Sequence, residues 1–167
     1  MGVSLLRHPR TLGLLTALAM LAVDQGNKLW LLFSFDIATR QPVALTPFLD
    51  LVLAKNPGIS YSLFQTSTEN GRLLLLAVTL AATLALGIWL WTAQARLTAV
   101  ALGLLVGGAL GNAYDRFAYG WVADFYHFHI GAFSWYVFNL ADCGIVAGVA
   151  ILLYESLRGS GSGKMPV

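Results

Sequence analysis

The chain has 167 residues, of which 57% are hydrophobic and only 11% are charged. Soluble domains carry about 25% charged residues, so the composition excludes a typical water-soluble protein and indicates a polytopic membrane protein. The net charge of +2 gives no basis for a nucleic-acid partner. The length favours one membrane-embedded domain over residues 1–167, and the single cysteine excludes an internal disulfide.

The first predicted element is a membrane helix over about Thr11–Phe33. A basic start followed by an apolar run also suits a secretory signal peptide. However, the apolar character resumes after Lys28, and the whole stretch supplies the roughly 20 residues that a membrane helix needs. Asp24 and Lys28 are four residues apart, so they share a helix face and can pair. That pair is either purely structural or a support for a nearby polar site.

Residues 36–71 are predicted to form a β/loop segment outside the membrane. Phe48–Ala54 partly alternates between apolar and polar residues, which is typical of a short half-buried strand. The sequence Asn56-Pro57-Gly58 favours a turn. A role in forming this turn is by itself enough to account for an asparagine at position 56.

Two further membrane helices are predicted over Arg72–Trp91 and Leu97–Tyr114, joined by a short polar connection. The second helix carries Gly103, Gly107 and Gly111 at four-residue spacing. Small residues on one face let helix backbones approach closely in lipid, so we expect these glycines to serve packing.

The last third is predicted to hold a polar-aromatic connection, Arg116–Tyr136, then a fourth membrane helix, Val137–Leu157. Residues 158–167 are rich in Gly and Ser, which indicates a flexible tail. His127 and His129 in the connection alternate as they do in some metal sites. No Cys partner and no HExxH motif accompany them, so no metal site is predicted.

Charge distribution predicts the orientation of the four helices. Lys and Arg concentrate at the two termini and in the 92–96 loop, whereas most acidic residues fall on the opposite side. Positive residues favour the cytoplasmic side. We therefore expect both termini in the cytoplasm and the acidic cluster at the outer face.

Polar residues flanking the third and fourth helices can converge at one depth. Two neighbouring carboxylates, one ionised and one protonated, are suited to hydrolysing a peptide bond, and burial favours the shared proton. A structural hydrogen-bond network, the proton relay of a transporter and a non-catalytic scaffold are the alternatives. The residues concerned are Asn112, Asp115, Arg116, Asp124, Asn139 and Asp142.

Five sequence blocks resemble those of the bacterial lipoprotein signal peptidases, also called signal peptidase II. They occur in family order over almost the whole chain except its termini. The blocks are Asp24-Gln-x-x-Lys28, Asn56-x-Gly58, Gly107-Gly-Ala-Leu-Gly-Asn-x-x-Asp-Arg116, Val122-x-Asp-Phe125 and Phe138-Asn-Leu-Ala-Asp142.

The resemblance implies an all-α polytopic membrane protein, with four transmembrane helices and a small extracytoplasmic β element. It implies an aspartyl dyad of Asp124 and Asp142, with Asp115 in a supporting role, paired with Arg116. Other matching positions are expected to shape the site or bind substrate, and these are Asp24, Lys28, Asn56, Gly58, Asn112 and Asn139.

The resemblance also implies the reaction and its setting. A monomeric enzyme of the bacterial inner membrane would cleave lipid-modified prolipoproteins just before the diacylglyceryl-bearing lipobox cysteine, without a metal or cofactor. Membrane lipids and the cyclic peptide inhibitor globomycin are the other expected partners. Three features depart from the family pattern. They are the run Asn56-Pro-Gly-Ile-Ser-Tyr61, Cys143 after Asp142, and a compact stretch between the first helix and Asn56. We expect Cys143 to be a small packing residue.

Overall fold

The computed structural model describes residues 8–58 and 69–160. Its helices are α1 (Pro9–Leu29), extended by a π-helical turn (Trp30–Ser34), a short α2 (Ile37–Arg40), α3 (Glu69–Thr92), α4 (Arg96–Ala118) and α5 (Leu140–Ser160). Its strands are β1 (Val43–Thr46), β2 (Leu49–Asn56), β3 (Val122–Ile130) and β4 (Phe133–Phe138). The strands form one antiparallel sheet in the order β1-β2-β3-β4.

The sheet is larger than the small β element that the sequence predicts, so the all-α description is incomplete. The prediction of Arg116–Tyr136 as a connection is wrong, because this region contains β3 and the first four of the six residues of β4. The first residues of β3, Val122 to Phe125, are each no more than 2% exposed. A strand that is buried on both faces lacks the alternating pattern by which a half-buried strand is recognised.

The fourth long helix begins at Leu140, not at Val137, because Phe138 still belongs to β4. Asn139 and Asp142 form a reciprocal cap at this point. The Asp142 N–H donates to Asn139 Oδ1 at 2.9 Å, and the Asn139 N–H donates to Asp142 Oδ2 at 3.2 Å. This arrangement is a capping box, and it fixes Asp142 in the first turn of α5.

Helix α4 lies at the centre of the bundle and is packed against α1, α3 and α5. A Cβ at Gly103 would overlap the carbonyl oxygen of Gly13, and a Cβ at Gly107 would overlap that of Ala17. Contacts that advance by four residues on both helices show that α1 runs parallel to α4. The predicted packing role of these two glycines is confirmed.

Within the described residues, three helical stretches are long and apolar enough to cross a membrane. They are Leu73–Thr92, Arg96–Ala118 and Leu140–Arg158. Their outward faces carry large apolar side chains, such as Leu84 and Leu153, which are 66% and 60% exposed. Such faces suit lipid better than water.

The sheet is held to the end of α1 by an apolar cluster of Leu31, Ile37, Leu51, Ala123 and Phe125. This cluster fixes β3 where α4 ends, so the start of β3 lies directly beside the helical bundle.

Two predicted segments extend beyond the described residues. In the predicted β/loop segment 36–71, residues 59–68 lie outside them, and Glu69 already begins α3. In the predicted tail 158–167, residues 161–167 lie outside them, and Arg158 still belongs to α5, so the tail prediction is wrong for its first residues.

Candidate active site

A buried ion cluster joins α1 to α4. Lys28 Nζ lies 2.8 Å from Asp24 Oδ2 and 2.8 Å from Asp115 Oδ2, and it donates to Asn112 Oδ1 at 3.2 Å. Lys28, Asp24 and Asp115 are each no more than 2% exposed. The predicted Asp24–Lys28 pair is confirmed. The expected pairing of Asp115 with Arg116 is wrong, because Lys28 reaches Asp115 from the neighbouring helix.

Each carboxylate of this cluster also accepts a backbone N–H from another element. Asp115 Oδ2 accepts from Ala123 at 3.0 Å, and Asp24 Oδ1 accepts from Ala141 at 2.9 Å. Ala123 immediately precedes Asp124, and Ala141 immediately precedes Asp142. The ion cluster therefore fixes the backbone on which both candidate catalytic carboxylates are carried.

Two asparagine side chains connect the two candidate catalytic carboxylates, Asp124 and Asp142. Asn112 Nδ2 donates to Asp142 Oδ1 at 3.0 Å, and Asn139 Nδ2 donates to Asp124 Oδ1 at 2.6 Å. Asn139 Nδ2 also donates to Asn112 Oδ1 at 3.0 Å. Because Lys28 donates to the same Asn112 oxygen, the Asn112 amide is oriented with its nitrogen towards Asp142.

The turn after β2 closes another side of the site. Asn56 Nδ2 donates to Asp124 Oδ2 at 3.1 Å, and Asn56 Oδ1 accepts from the Gly58 N–H at 3.1 Å. Arg116 donates to the Gly58 carbonyl oxygen at 3.2 Å and to the Asn112 carbonyl oxygen at 3.2 Å. Arg116 therefore holds the turn against α4, and its charge interacts more strongly with Asp124 and Asp142 than with Asp115.

These groups surround a small polar cavity of about 140 Å³, into which both Asp124 and Asp142 open. Burial, and secondly the charge of Asp142, raise the pKa of Asp124 to about 7, against the opposing effect of hydrogen bonds from Asn56 and Asn139. Two adjacent carboxyl groups with one proton between them near neutral pH can act together as acid and base. The remaining lining residues are Asn56, Gly58, Asn112, Arg116 and Val122.

The structure brings together all ten residues that the sequence predicts for the site, although it does not test their roles. It adds Gln25, whose Nε2 donates to Asp24, to Asp115 and to the carbonyl oxygen of Gly111. The sequence signal for Gln25 was its position in an apolar helix, where a polar side chain usually bonds to a neighbouring helix.

Three other residues that the sequence singled out lie apart from this network. His129 pairs with Asp50 at 3.0 Å, and His127 Nε2 lies 2.7 Å from Ser134 Oγ. In the part of the chain that the structure describes, no three His, Cys, Asp or Glu side chains are grouped to hold a metal ion. Cys143 is exposed, so its expected role as a packing residue is wrong.

Comparison with known proteins agrees with the family resemblance of the sequence blocks. Residues 16–158 match the model of the family described as signal peptidase (SPase) II. The chain is similar to the lipoprotein signal peptidase of Methylocella silvestris, with 65% identity over 93% of this chain and 92% of that protein. It is similar to that of Beijerinckia indica subsp. indica, with 59% identity over 93% of each.

Two solved bacterial membrane enzymes have the same fold. One superposes with a TM-score of 0.79 at 24% identity, covering 93% of each chain. The other has a TM-score of 0.70 at 26% identity, covering 87% of this chain and 92% of that one.

Proposed function

The chain belongs to the signal peptidase II family, and we propose that it is an aspartic endopeptidase acting on diacylglyceryl-modified prolipoproteins. It removes the signal peptide by cleaving just before the lipid-modified cysteine. The observation that carries the aspartic mechanism is that Asp124 and Asp142 open into one small polar cavity and are joined by Asn112 and Asn139.

The two carboxyl groups take different parts in the reaction. Asp124, whose pKa is raised to about 7 by burial and by the charge of Asp142, carries the proton and donates a hydrogen bond to the scissile carbonyl oxygen. Asp142 removes a proton from water, and the resulting nucleophile attacks the carbonyl carbon. When the C–N bond breaks, the leaving nitrogen takes the proton that Asp142 removed from water. Asp142 is then ionised again and Asp124 still carries its proton, so the dyad is back in its starting state.

The ion cluster supports this reaction by positioning. Asp115 and Asp24 hold the backbone N–H groups of Ala123 and Ala141, the residues just before the two catalytic carboxylates. Catalysis is sensitive to misplacement on the order of 1 Å. A rigid, buried cluster that ties α1, α4, β3 and α5 together is therefore suited to keeping the dyad in register.

The enzyme crosses the bacterial inner membrane four times in this proposal, as one domain over residues 1–167. Support for α1 as the additional span comes from its parallel packing along α4, since both helices then occupy the same depth. Arg10 lies over the ring of Trp91, 5.4 Å from its centroid, and Arg96 begins α4. Tryptophan marks a membrane interface, and arginine favours its cytoplasmic side. This supports our proposal that the sheet and the dyad lie at the extracytoplasmic face.

One chain supplies every group of the proposed site, which is consistent with a monomeric enzyme. Its partners are the lipid-modified prolipoprotein and the surrounding membrane lipids. A globomycin-type cyclic peptide is expected to inhibit it by competing for the cavity between Asp124 and Asp142.

The deciding experiment uses purified enzyme in detergent and a diacylglyceryl-modified lipobox peptide. Asp124→Asn and Asp142→Asn should each lower turnover by roughly 10²–10⁴-fold, the usual contribution of a catalytic acid or base. Both variants should still bind the peptide. If Asp115→Asn alone abolishes turnover while Asp124→Asn cleaves normally, the assignment of the dyad is wrong. If the wild-type enzyme cleaves no lipidated peptide, the proposed function itself fails.

A further inference from the structure

Gln25 joins the ion cluster through its side-chain amide, which has no part in the proposed reaction. Its Nε2 lies 3.1 Å from Asp24 Oδ2, 3.0 Å from Asp115 Oδ1 and 3.2 Å from the carbonyl oxygen of Gly111. An amide nitrogen carries two hydrogens, so three acceptors at these distances use both of them. Gln25 therefore bridges the two carboxylates of the cluster, as Lys28 does from its own position on α1.

The ion cluster needs this second bridge because its charges are unequal. The carboxylates of Asp24 and Asp115 share the positive charge of Lys28, and all three side chains are no more than 2% exposed. Like charges in a buried site are costly unless an opposite charge and hydrogen bonds compensate them. The Gln25 amide donates to both carboxylates without adding a charge of its own.

The contact with Gln25 is most important for Asp115. Asp115 Oδ2 accepts from Lys28 and from the Ala123 N–H. Among the described residues, the donor to Asp115 Oδ1 is Gln25. Leaving a buried acceptor without a donor is unfavourable, so a carboxylate that has lost Gln25 would turn towards other donors. Such a turn would displace the oxygen that accepts the Ala123 N–H, one residue before Asp124.

Gln25 also forms the boundary between the ion cluster and an apolar cavity. The cavity has a volume of about 530 Å³ and lies between α1, α3 and α4. Gln25 is part of its lining, whereas Asp24, Lys28 and Asp115 are not. The other lining residues on α1 and α3 are all leucines, namely Leu21, Leu29, Leu76 and Leu80. An apolar side chain at position 25 would therefore leave the cluster without a donor on this side.

We propose that Gln25 is a positioning residue, whose amide fixes the two carboxylates of the ion cluster and, through them, the catalytic dyad. Each of these carboxylates accepts the N–H of the residue that precedes a catalytic aspartate. This inference rests on the proposed function and adds to it a residue outside the catalytic cavity. Because Gln25 does not line that cavity, its loss should lower kcat and leave KM unchanged.

The first test compares Gln25→Met with Leu21→Met in the full-length enzyme. Methionine is similar in length to glutamine and removes both donors. Leu21 lies one turn earlier on the same face of α1 and lines the same cavity, so Leu21→Met is the matched control. On a diacylglyceryl-modified lipobox peptide, Gln25→Met should lower kcat by about 10–100-fold, since misplacement on the order of 1 Å costs about 100-fold. Leu21→Met should have wild-type kcat and KM.

Gln25→Glu distinguishes a role in donating hydrogen bonds from a role in packing. Glutamate has the shape of glutamine, but it donates a hydrogen bond only when it is protonated. As pH rises and the new carboxyl group ionises, the kcat of Gln25→Glu relative to wild type should fall by up to about tenfold per pH unit. Comparison with wild type at each pH removes the titration of Asp124. The titratable groups around position 25 are Asp24, Lys28, Asp115 and Tyr114, and α3 contributes leucines.

Three results would overturn the inference while leaving the proposed function intact. Wild-type kcat in Gln25→Met would show that the amide is not needed. A loss confined to KM would assign Gln25 to substrate binding. A constant ratio of Gln25→Glu to wild type between about pH 5 and pH 9 would assign it to packing, and this arm decides even if Gln25→Met does not fold. Failure of the wild-type enzyme to cleave the peptide would instead refute the proposed function.

Discussion

The proton on Asp124 depends on the surroundings that the fold provides for this side chain. Asp124 is 2% exposed, and its carboxyl group lies near Asp142. These two features raise its pKa from 3.8 to about 7. Hydrogen bonds from Asn56 and Asn139 act in the opposite direction without cancelling the effect. A carboxylic acid that remains partly protonated near neutral pH can donate a hydrogen bond to a carbonyl oxygen.

This shift predicts the basic limb of the pH profile. As pH rises through about 7, Asp124 loses the proton that the reaction needs, so kcat/KM should fall by about tenfold for each further pH unit. Steady-state cleavage at about five pH values between pH 5 and pH 9 measures this fall in kcat/KM. Peptide binding measured at each pH controls for loss of substrate affinity. A rate that stays constant up to pH 9 contradicts the assignment of Asp124 as the acid.

The buried Lys28 shows why polar residues at this site depend on one another. Removing one partner from a buried ion cluster leaves the remaining charges without compensation, which is far more costly than losing an exposed pair. Lys28 serves two carboxylates and one amide oxygen. Substitutions in this cluster are therefore expected to affect folding as well as catalysis, and activity measurements on them need a stability control.

At the scale of elements, the contact between α1 and α4 requires glycine. A Cβ added at Gly107 would overlap the Ala17 carbonyl oxygen. A Cβ added at Gly87 on α3 would have no described atom within 4 Å, apart from those of its own local chain. Close backbone approach of this kind is a common way for helices to associate in lipid. Because Asp24 and Lys28 lie on α1, the spacing of α1 and α4 also sets the geometry of the ion cluster.

Gly107→Ala should therefore destabilise the enzyme, while Gly87→Ala should not. Overpacking a tight contact costs about 1–3 kcal/mol, and glycine to alanine at an open helical position is neutral or stabilising by up to about 1 kcal/mol. Thermal unfolding of the detergent-solubilised variants, followed by circular dichroism, distinguishes them. Equal melting temperatures for the two variants would show that the α1–α4 contact is adaptable.

At the scale of the whole molecule, the four-span proposal places the connection between α3 and α4 opposite the β3–β4 hairpin across the membrane. Gln94 lies in that connection, and Ala132 lies at the hairpin turn, and both are exposed. The apolar helices and the parallel α1–α4 packing support this arrangement.

Single cysteines test it in a Cys143→Ser background. In intact spheroplasts, a membrane-impermeant maleimide should label Ala132→Cys, and it should label Gln94→Cys only after the membrane is opened. Labelling after solubilisation is the control that both positions are accessible. If both cysteines react from the same side of intact membranes, the four-span arrangement is wrong.

Several features followed from the sequence alone because they depend on composition or local spacing. An apolar chain with few charges cannot be stabilised as an ordinary soluble domain, and the long helices are set by the length of their apolar runs. The i to i+4 spacing of Asp24 and Lys28 was sufficient to predict their ion pair. The glycine spacing on α4 likewise predicted a packing face.

Only the tertiary structure decided the rest, because it depends on which distant groups meet. Lys28, not Arg116, forms the ion pair with Asp115, since α1 lies parallel to α4 at that depth. The burial of the first four residues of β3 on both faces removed the alternating pattern that would have predicted the strand. The reciprocal cap between Asn139 and Asp142 follows from where β4 ends. The sequence indicated which polar residues converge, but their partners depend on helix and sheet packing, which local spacing does not determine.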